Sequence, residues 1–547
     1  MSYFAQPTLG RDQLALIPTT LNDAIPEDHE VRLLDDILQT QDWSSWEVEY
    51  SLRRGQPPIP PRVLASVILY GLLRRIRSSR VLEYLTGHNV DFLWLTEGRT
   101  IDHTTLCKFR TRFKQPLKKL FLGLNRTAMA MGLIRLGEVT FDGTRVKANN
   151  GRCHVWTAAS VEKQLAELAT EFDRLLAKTQ ETDAAEDERF GLMSSTKLPP
   201  ELADVEARRQ RLREALKRLQ AADASRRREG IDPTKNPAQL PRTDIDSTTL
   251  PNKEGGYAPN YTPTAAVDAH RDFIVDAEVL PHANENTEVL PMVDRVKEGF
   301  GQNPAAVLAD GLNATGPNIV GLEQQGVEFL SPAAASEPIA ENPAVRPDPQ
   351  QPVPEAAWGQ LPISPQTKKL DKSCFVFVSE TDVYYCPCGH VLTFEKTKPD
   401  VRQGQKITLR VYRCAGCEGC LLAERCVSAK SQGGRTITRD IYTADRERHA
   451  AKMATPGSRA RYGRRFHAGE TPFGWLKQVL GLRQFLLRGL EKVRTEWLWA
   501  CTAYNLRKLL GEVARLRALF ARMSVEVADR VDQGRMCDGI LFILTEA

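Results

Sequence analysis

Glu470 is one of few acids in a stretch dominated by cations and aromatics, Phe466 to Asn505. If a helix begins around it, Gly474 and Lys477 fall at i+4 and i+7 on the same face. From Lys452 to Lys508 there are 12 Lys/Arg against 3 Asp/Glu, interleaved with Trp475, Phe485, Trp497, Trp499 and Tyr504. A carboxylate and a lysine looking out together over a small residue, in a basic segment, is what a metal-dependent site on nucleic acid needs. The same pattern also suits two amphipathic core helices joined near Gly481, with a solvated basic edge. A second set of reactive side chains lies upstream. Cys386-Pro-Cys388-Gly-His390 is followed by Cys414-Ala-Gly-Cys417-Glu-Gly-Cys420 and then by Cys426. Two knuckles turned by Gly or Pro suit a tetrahedral zinc site of thiolates, the alternative being a set of free thiols. More than four ligands are present, so spacing alone does not select among them.

The elements that must position these groups are bounded by composition. A chain of 547 residues has room for roughly three to five domains. Apolar content of 41% and charge of 26% describe a globular protein, and a net charge of +5 is slight for this length. No run of about 18 apolar residues occurs, and the first residues lack the layout of a signal peptide. A cytoplasmic protein without a membrane partner is therefore expected. Six of the eleven cysteines cluster between Cys386 and Cys426, which favours metal binding over disulfides.

Residues 28 to 114 read as short helices. Pro60-Pro61 suits the start of one through Leu73, Ser78 can cap another through Leu85, and Asp102 can cap a third. On that third helix Thr104, Thr105, Lys108 and Arg112 can face outward, as in the second helix of a helix-turn-helix. Gly137 to Asn149 reads as a short strand that ends in Asp142 and continues extended. Val161, Leu165, Leu168, Phe172 and Leu175, then Leu202, Val205, Arg209, Leu212, Leu216 and Leu219, follow the seam spacing of paired helices, with Arg209 the one polar position. They predict an antiparallel hairpin with a flexible acidic link from Thr179 to Pro200. Tyr261 to Val267 and Phe273 to Leu280 predict a β-hairpin. Ala305 to Asp310 reads as a buried strand ending in an acid, followed by the helix Asn318 to Gln325 and the strand Val327 to Leu330, an α/β alternation. Pro338 to Pro365 reads as an extended linker, and Phe375 to Tyr385 as one strand.

Several of these runs resemble one family. Glu470-Thr-Pro-Phe-Gly-Trp-Leu-Lys477, Arg488-Gly-Leu-Glu-Lys-Val-Arg494 and Tyr504-Asn505 are similar to the C-terminal catalytic segment of DDE-type insertion-sequence transposases. The order of Ser-Ser-Arg, Trp-Leu and Asp102-His-Thr-Thr-Leu-Cys-Lys-Phe-Arg110 resembles the N-terminal domain of the same family. So does Asp142-Gly-Thr-Arg-Val-Lys-Ala-Asn149 at the first catalytic aspartate, and Ala309-Asp310 at the second. Gly311-Leu312-Asn313 departs from the family after that aspartate, as does Asn284-Glu285-Asn286, where the family more often has an accessory aspartate.

The resemblance implies an α/β fold, α+β overall, with an RNase H-like mixed sheet core, an N-terminal helical domain, a helical-hairpin insertion and a small cysteine-rich zinc-binding module. It implies Asp142, Asp310 and Glu470 as catalytic, metal-binding acids, with Glu470 at a helix start. Three carboxylates in one cleft repel unless cations neutralise them, and oxygen ligands favour Mg²⁺ or Mn²⁺. Cleavage at the element's terminal repeats by water, then attack of the freed 3′-hydroxyl on target DNA, is the implied reaction. Lys477, Arg483 and Arg488 are candidates for the DNA backbone, and Thr105, Lys108 and Arg112 for recognising the ends. Cys386, Cys388, Cys414, Cys417, Cys420 and Cys426 are candidates for structural Zn²⁺. The expected partition is a DNA-binding domain over 1–130, core segments over 131–155, 241–336 and 441–515, a hairpin over 156–240, a linker over 337–370, the cysteine module over 371–440 and a tail over 516–547. A homo-oligomer, at least a dimer on DNA, and association with the nucleoid are expected. The alternative is a catalytically inactive descendant that regulates by binding DNA.

Overall fold

Five strands hold the functional centre, and every one of them comes from a different stretch of the chain. In the computed structural model these are β1 (Glu138–Gly143), β2 (Tyr257–Asp268), β3 (Phe273–Leu280), β4 (Ala306–Leu308) and β5 (Glu328–Leu330). The structure describes residues 20–50, 57–151, 154–190, 200–228, 230–252, 255–332, 342–402, 405–428 and 433–532. The expected leaderless N-terminus, the last part of the tail and the middle of the hairpin link lie outside them. The fold is mixed α/β.

The β1 strand is the pivot of the sheet. It pairs antiparallel with β2, with Asp142 opposite Ala265, and parallel with β4, with Thr140 opposite Leu308. The β3 strand continues the antiparallel side and β5 the parallel side, giving the order β3-β2-β1-β4-β5. Short pieces at Val146–Lys147 and Thr248–Pro251 add to the outer part of β2. Central strands are buried on both faces, which is why Val139, Phe141, Ala266, Val267, Val307 and Leu308 form near-continuous apolar runs.

Pro61 opens the helix Pro61–Leu73, where its missing N–H costs no hydrogen bond. Asp102 caps His103–Arg112 by accepting from the Thr104 and Thr105 N–H groups. Ser78 precedes Ser79–His88 without a capping bond from its side chain. These helices share one hydrophobic cluster with the sheet and with the long helix Leu490–Asp532. Trp499 of that helix lies 6.2 Å from both Trp46 and Phe109 of the N-terminal helices. Asn505 donates to Asn125 Oδ1 at 2.7 Å and clamps the Ile274 peptide of β3 from both sides, at 2.9 and 2.7 Å. The start of the helix is fastened by acids: Gly489 N–H donates to Asp244 and Leu490 N–H to Asp246, each at 3.1 Å.

Paired helices Ala158–Phe190 and Pro200–Arg228 form the insertion, closed by Val161, Leu168, Val205, Leu212 and Leu219. The acidic stretch after Thr179 is helical through Phe190, so the flexible link expected from Thr179 does not begin there; its remainder lies outside the described residues. Straight-chain and Ala residues there keep good helix propensity despite the charge. The expected linker is also corrected. Ala344, Val353, Leu361 and Leu370 are buried, and three of them join the core of the cysteine module, because apolar residues are spaced among the prolines. The module itself is a five-stranded antiparallel meander. Phe375 to Tyr385 supplies two of its strands, Val376–Val378 and Val383–Tyr385, since Asp382 turns the chain at φ 54°.

Candidate active site and cysteine module

Asp142 and Asp310 reach the same place by register. Each stands two residues past the paired residues Thr140 and Leu308, on neighbouring parallel strands. Parallel neighbours lie about 4.8 Å apart, so the two acids sit side by side at the strand ends. Asp310 caps the short turn Gly311–Asn313, accepting from Leu312 N–H at 3.1 Å and from Asn313 Nδ2 at 2.7 Å. The unusual residues after Asp310 thus orient its carboxylate. Asp142 accepts from Gly143 N–H at 2.9 Å, and the Arg465 guanidinium stands 3.3 Å from its other oxygen.

Glu470 belongs to the helix Arg465–Gly474, which crosses β1. The crossing is close: a Cβ on Gly469 would lie 3.1 Å from Thr140 Cγ2 and 3.7 Å from Asp142 Oδ2. Glu470 follows directly, with an exposed side chain. It sits in the second turn and not at the helix start, because the helix begins at Arg465 and tolerates Pro472 within it. A π-helical turn, Trp475–Val479, continues it. Among the described residues, the oxygens of Asp142, Asp310 and Glu470 do not all lie within 4.8 Å of one another.

A fourth acid shares the neighbourhood. Glu285 pairs with Arg145 at 3.2 Å, and a Cβ on Gly143 would overlap its carboxyl. Burial pushes Glu285 up to about 7 against the pull of Arg145, and the charges of Asp142 and Asp310 add to the rise. Tyr462 is raised mainly by burial, opposed by Arg465, and it too feels both aspartates. Sequence reasoning treated Glu285 and Asn313 only as departures from the family and gave no role to Arg145 or Tyr462. The one available signal was that Arg145 follows Asp142 by three residues, just past the end of the strand.

Lys477 donates to Thr144 Oγ1, two residues past Asp142, so its ammonium is brought to the same strand end. The segment after it is stitched to the run after Asp142. Lys147 N–H donates to Arg483 O at 3.1 Å, and Phe485 N–H to Lys147 O at 2.9 Å. Arg483 also bonds Gln478, and Arg488 donates to Asn149 O at 3.2 Å. In the N-terminal helix Thr104 and Lys108 are exposed and Thr105 is half-buried. Arg112 donates to Glu49 O and stacks over Tyr50.

All six candidate cysteines line one cavity, together with His390. Cys386 ends a strand and Cys414 ends the long strand Gln405–Cys414. Cys386 accepts from the Cys414 thiol and from the N–H groups of His390 and Cys388, which together bring it down to about 6. Cys417 accepts from Arg435 N–H at 3.3 Å. Such N–H to sulfur bonds favour thiolates. Sulfur atoms of Cys386 and Cys414 lie within 4.8 Å of each other and of a His390 nitrogen.

Two comparisons bear on these sites. Residues 385–510 match the family described as transposase DDE domain, a range that holds the cysteine module and Glu470. Residues 19–112 match the transposase domain (DUF772), which covers the N-terminal helices. Asp142 and Asp310 lie outside both ranges. No curated protein matches the chain. Transposase families thus occupy both ends of the molecule. Together they support its recognition as a DDE-type insertion-sequence transposase.

Proposed function

We propose that this protein is an active transposase, cutting DNA at the ends of its element and joining the freed 3′-hydroxyl to target DNA by in-line phosphoryl transfer. The reading is supported most by Asp142 and Asp310, level with each other on adjacent parallel strands beneath the helix that carries Glu470. The strand order, three antiparallel strands continued by two parallel ones, supports an RNase H-like core. The donors are carboxylate oxygens, which suit Mg²⁺ or Mn²⁺. Their fit is supported by Glu285 beside them, a buried acid raised mainly by burial, to whose rise the charges of both Asp142 and Asp310 add. Bound divalent ions would supply activation of the attacking oxygen and stabilisation of the leaving one.

The chain's own groups position this chemistry. Asn313 holds the Asp310 carboxylate, and Arg465 balances Asp142. Lys477, anchored on Thr144, offers a cation to the scissile backbone, with Arg483 and Arg488 as further backbone contacts. The helix His103–Arg112 recognises the element's ends through Thr105 and Lys108. The cysteine module holds structural zinc, and the protein works as at least a dimer on DNA.

The test is cleavage of terminal-repeat DNA in Mg²⁺ by Asp142→Asn, Asp310→Asn and Glu470→Gln, with DNA binding measured alongside. Each should lose about 10³-fold or more in rate, equivalent to several kcal/mol, while binding persists. Substantial cleavage by any one variant removes that residue from the site.

A further inference from the structure

Four thiolates complete a zinc site, yet six cysteines surround the cavity of the module. The arrangement of the six is informative. Cys414 touches Cys386 and Cys417. On the other side Cys388 and Cys420 form a separate pair, their sulfurs 3.5 Å apart. Two cysteines lie between these groups. Cys386 contacts Cys414 and also interacts with Cys388. Cys426 interacts with Cys417, with Cys420 and with Cys386. The six are therefore two outer pairs, 414/417 and 388/420, with 386 and 426 in the middle.

We propose that the module binds two zinc ions in a shared thiolate cluster, with Cys386 and Cys426 bridging, Cys414 and Cys417 terminal on one metal, and Cys388 and Cys420 terminal on the other. Each ion then has four sulfur ligands, two terminal and two shared. Six thiols bind two Zn²⁺ and release six protons, leaving a cluster of charge −2. Two guanidiniums meet that charge. Arg346 donates to Cys386 O at 2.9 Å and interacts with Cys386 and Cys388. Arg435 gives its N–H to Cys417 and donates to Cys426 O at 3.0 Å. A single-zinc site of Cys386, Cys414, Cys417 and His390 would leave three cavity cysteines unused: the half-buried pair Cys388 and Cys420, and the buried Cys426. His390 is exposed, and its place is the rim.

This deepens the zinc reading of the module and rests on it, while standing apart from the cleavage reading because metal is counted without DNA. The full-length protein, purified without chelator, is assayed for zinc, iron and inorganic sulfide per chain. Two zinc ions are expected, falling to one or fewer in Cys388→Ser and in Cys420→Ser and unchanged in His390→Ala. One zinc per chain, insensitive to the Cys388 and Cys420 variants, overturns the shared cluster and leaves the zinc reading standing. A folded, metal-free protein, or iron with sulfide, overturns both. Should the variants fail to fold, wild type reconstituted with ¹¹³Cd decides: two coupled resonances support shared sulfurs, and a single resonance refutes them.

Discussion

The strand-end acids and the cysteine cluster are built on opposite plans. The cysteine cluster draws on two nearby stretches that one meander folds back on itself, and its ligands announce themselves by spacing. The acid site draws on residues 142, 285, 310 and 470, and only strand register and one helix crossing unite them. Charge is handled differently too. Among the thiols, burial pushes Cys388 and Cys426 up to about 12 while hydrogen bonds pull Cys386 down to about 6, so the module sets its charge among its own neighbouring sulfurs. At the acid site the fold supplies fixed cations instead: Arg465 beside Asp142, Arg145 beside Glu285, and Lys477 at the same strand end. The cysteine cluster can therefore form within one module, whereas the dispersed acids come together only when the whole core is complete.

The contrast can be broken most forcefully by stripping the metal from the module. Cys414→Ser with Cys417→Ser should lose zinc and several kcal/mol from the module's stability, visible as an early thermal transition, with the core melting separately. A single unchanged transition would show that the two regions are not distinct units. The next test addresses Glu285. Its folded pKa of about 7 lies above the ordinary 4.5, so the stability it provides is complete below 4.5 and is lost as pH rises through 7. With chelator present, wild type should lose on the order of 2 kcal/mol between pH 4.5 and 8 that Glu285→Gln retains. Parallel pH curves for the two proteins would remove Glu285 from the charged cluster. A smaller effect separates reading from gripping. Thr105→Ala with Lys108→Ala should cost about 1–3 kcal/mol per lost base contact on terminal-repeat DNA, and little on random DNA. Equal weakening of both DNAs would move specificity elsewhere, to the helical hairpin first. The least change is expected from Arg483→Ala, which should flatten the salt dependence of binding to any DNA by about one unit.

Much of this was legible where one residue type faces one local demand. Asp102 sits where a helix needs an acceptor, the seam from Val161 to Leu175 alternates as a packed helix must, and Asp142 ends a strand. What escaped depends on partners far away in sequence. Gly469 looks like any small residue until Thr140 is found beneath it, and Glu285 becomes an acid of the site only because Gly143 makes room. The helix around Glu470 begins earlier than expected, at Arg465, because Gly469 lets the preceding turn pack on Thr140 of β1. The linker was misread for the opposite reason. Proline content masked Ala344, Leu361 and Leu370, whose burial depends on a module they precede.

The helix Leu490–Asp532 has a consequence for how the protein is made. It supplies Trp497, Trp499, Tyr504 and Asn505 to a core already containing the N-terminal helices and the sheet. During synthesis β1 leaves the ribosome about 350 residues ahead of this support, a delay on the order of tens of seconds. Until it arrives, the parts of helix Lys114–Ala130 and of β3 that pack against it stay open, which makes the nascent chain a natural client for chaperones. A chain released before residue 490 would possess every acid of the site and still lack the helix that packs them into one body.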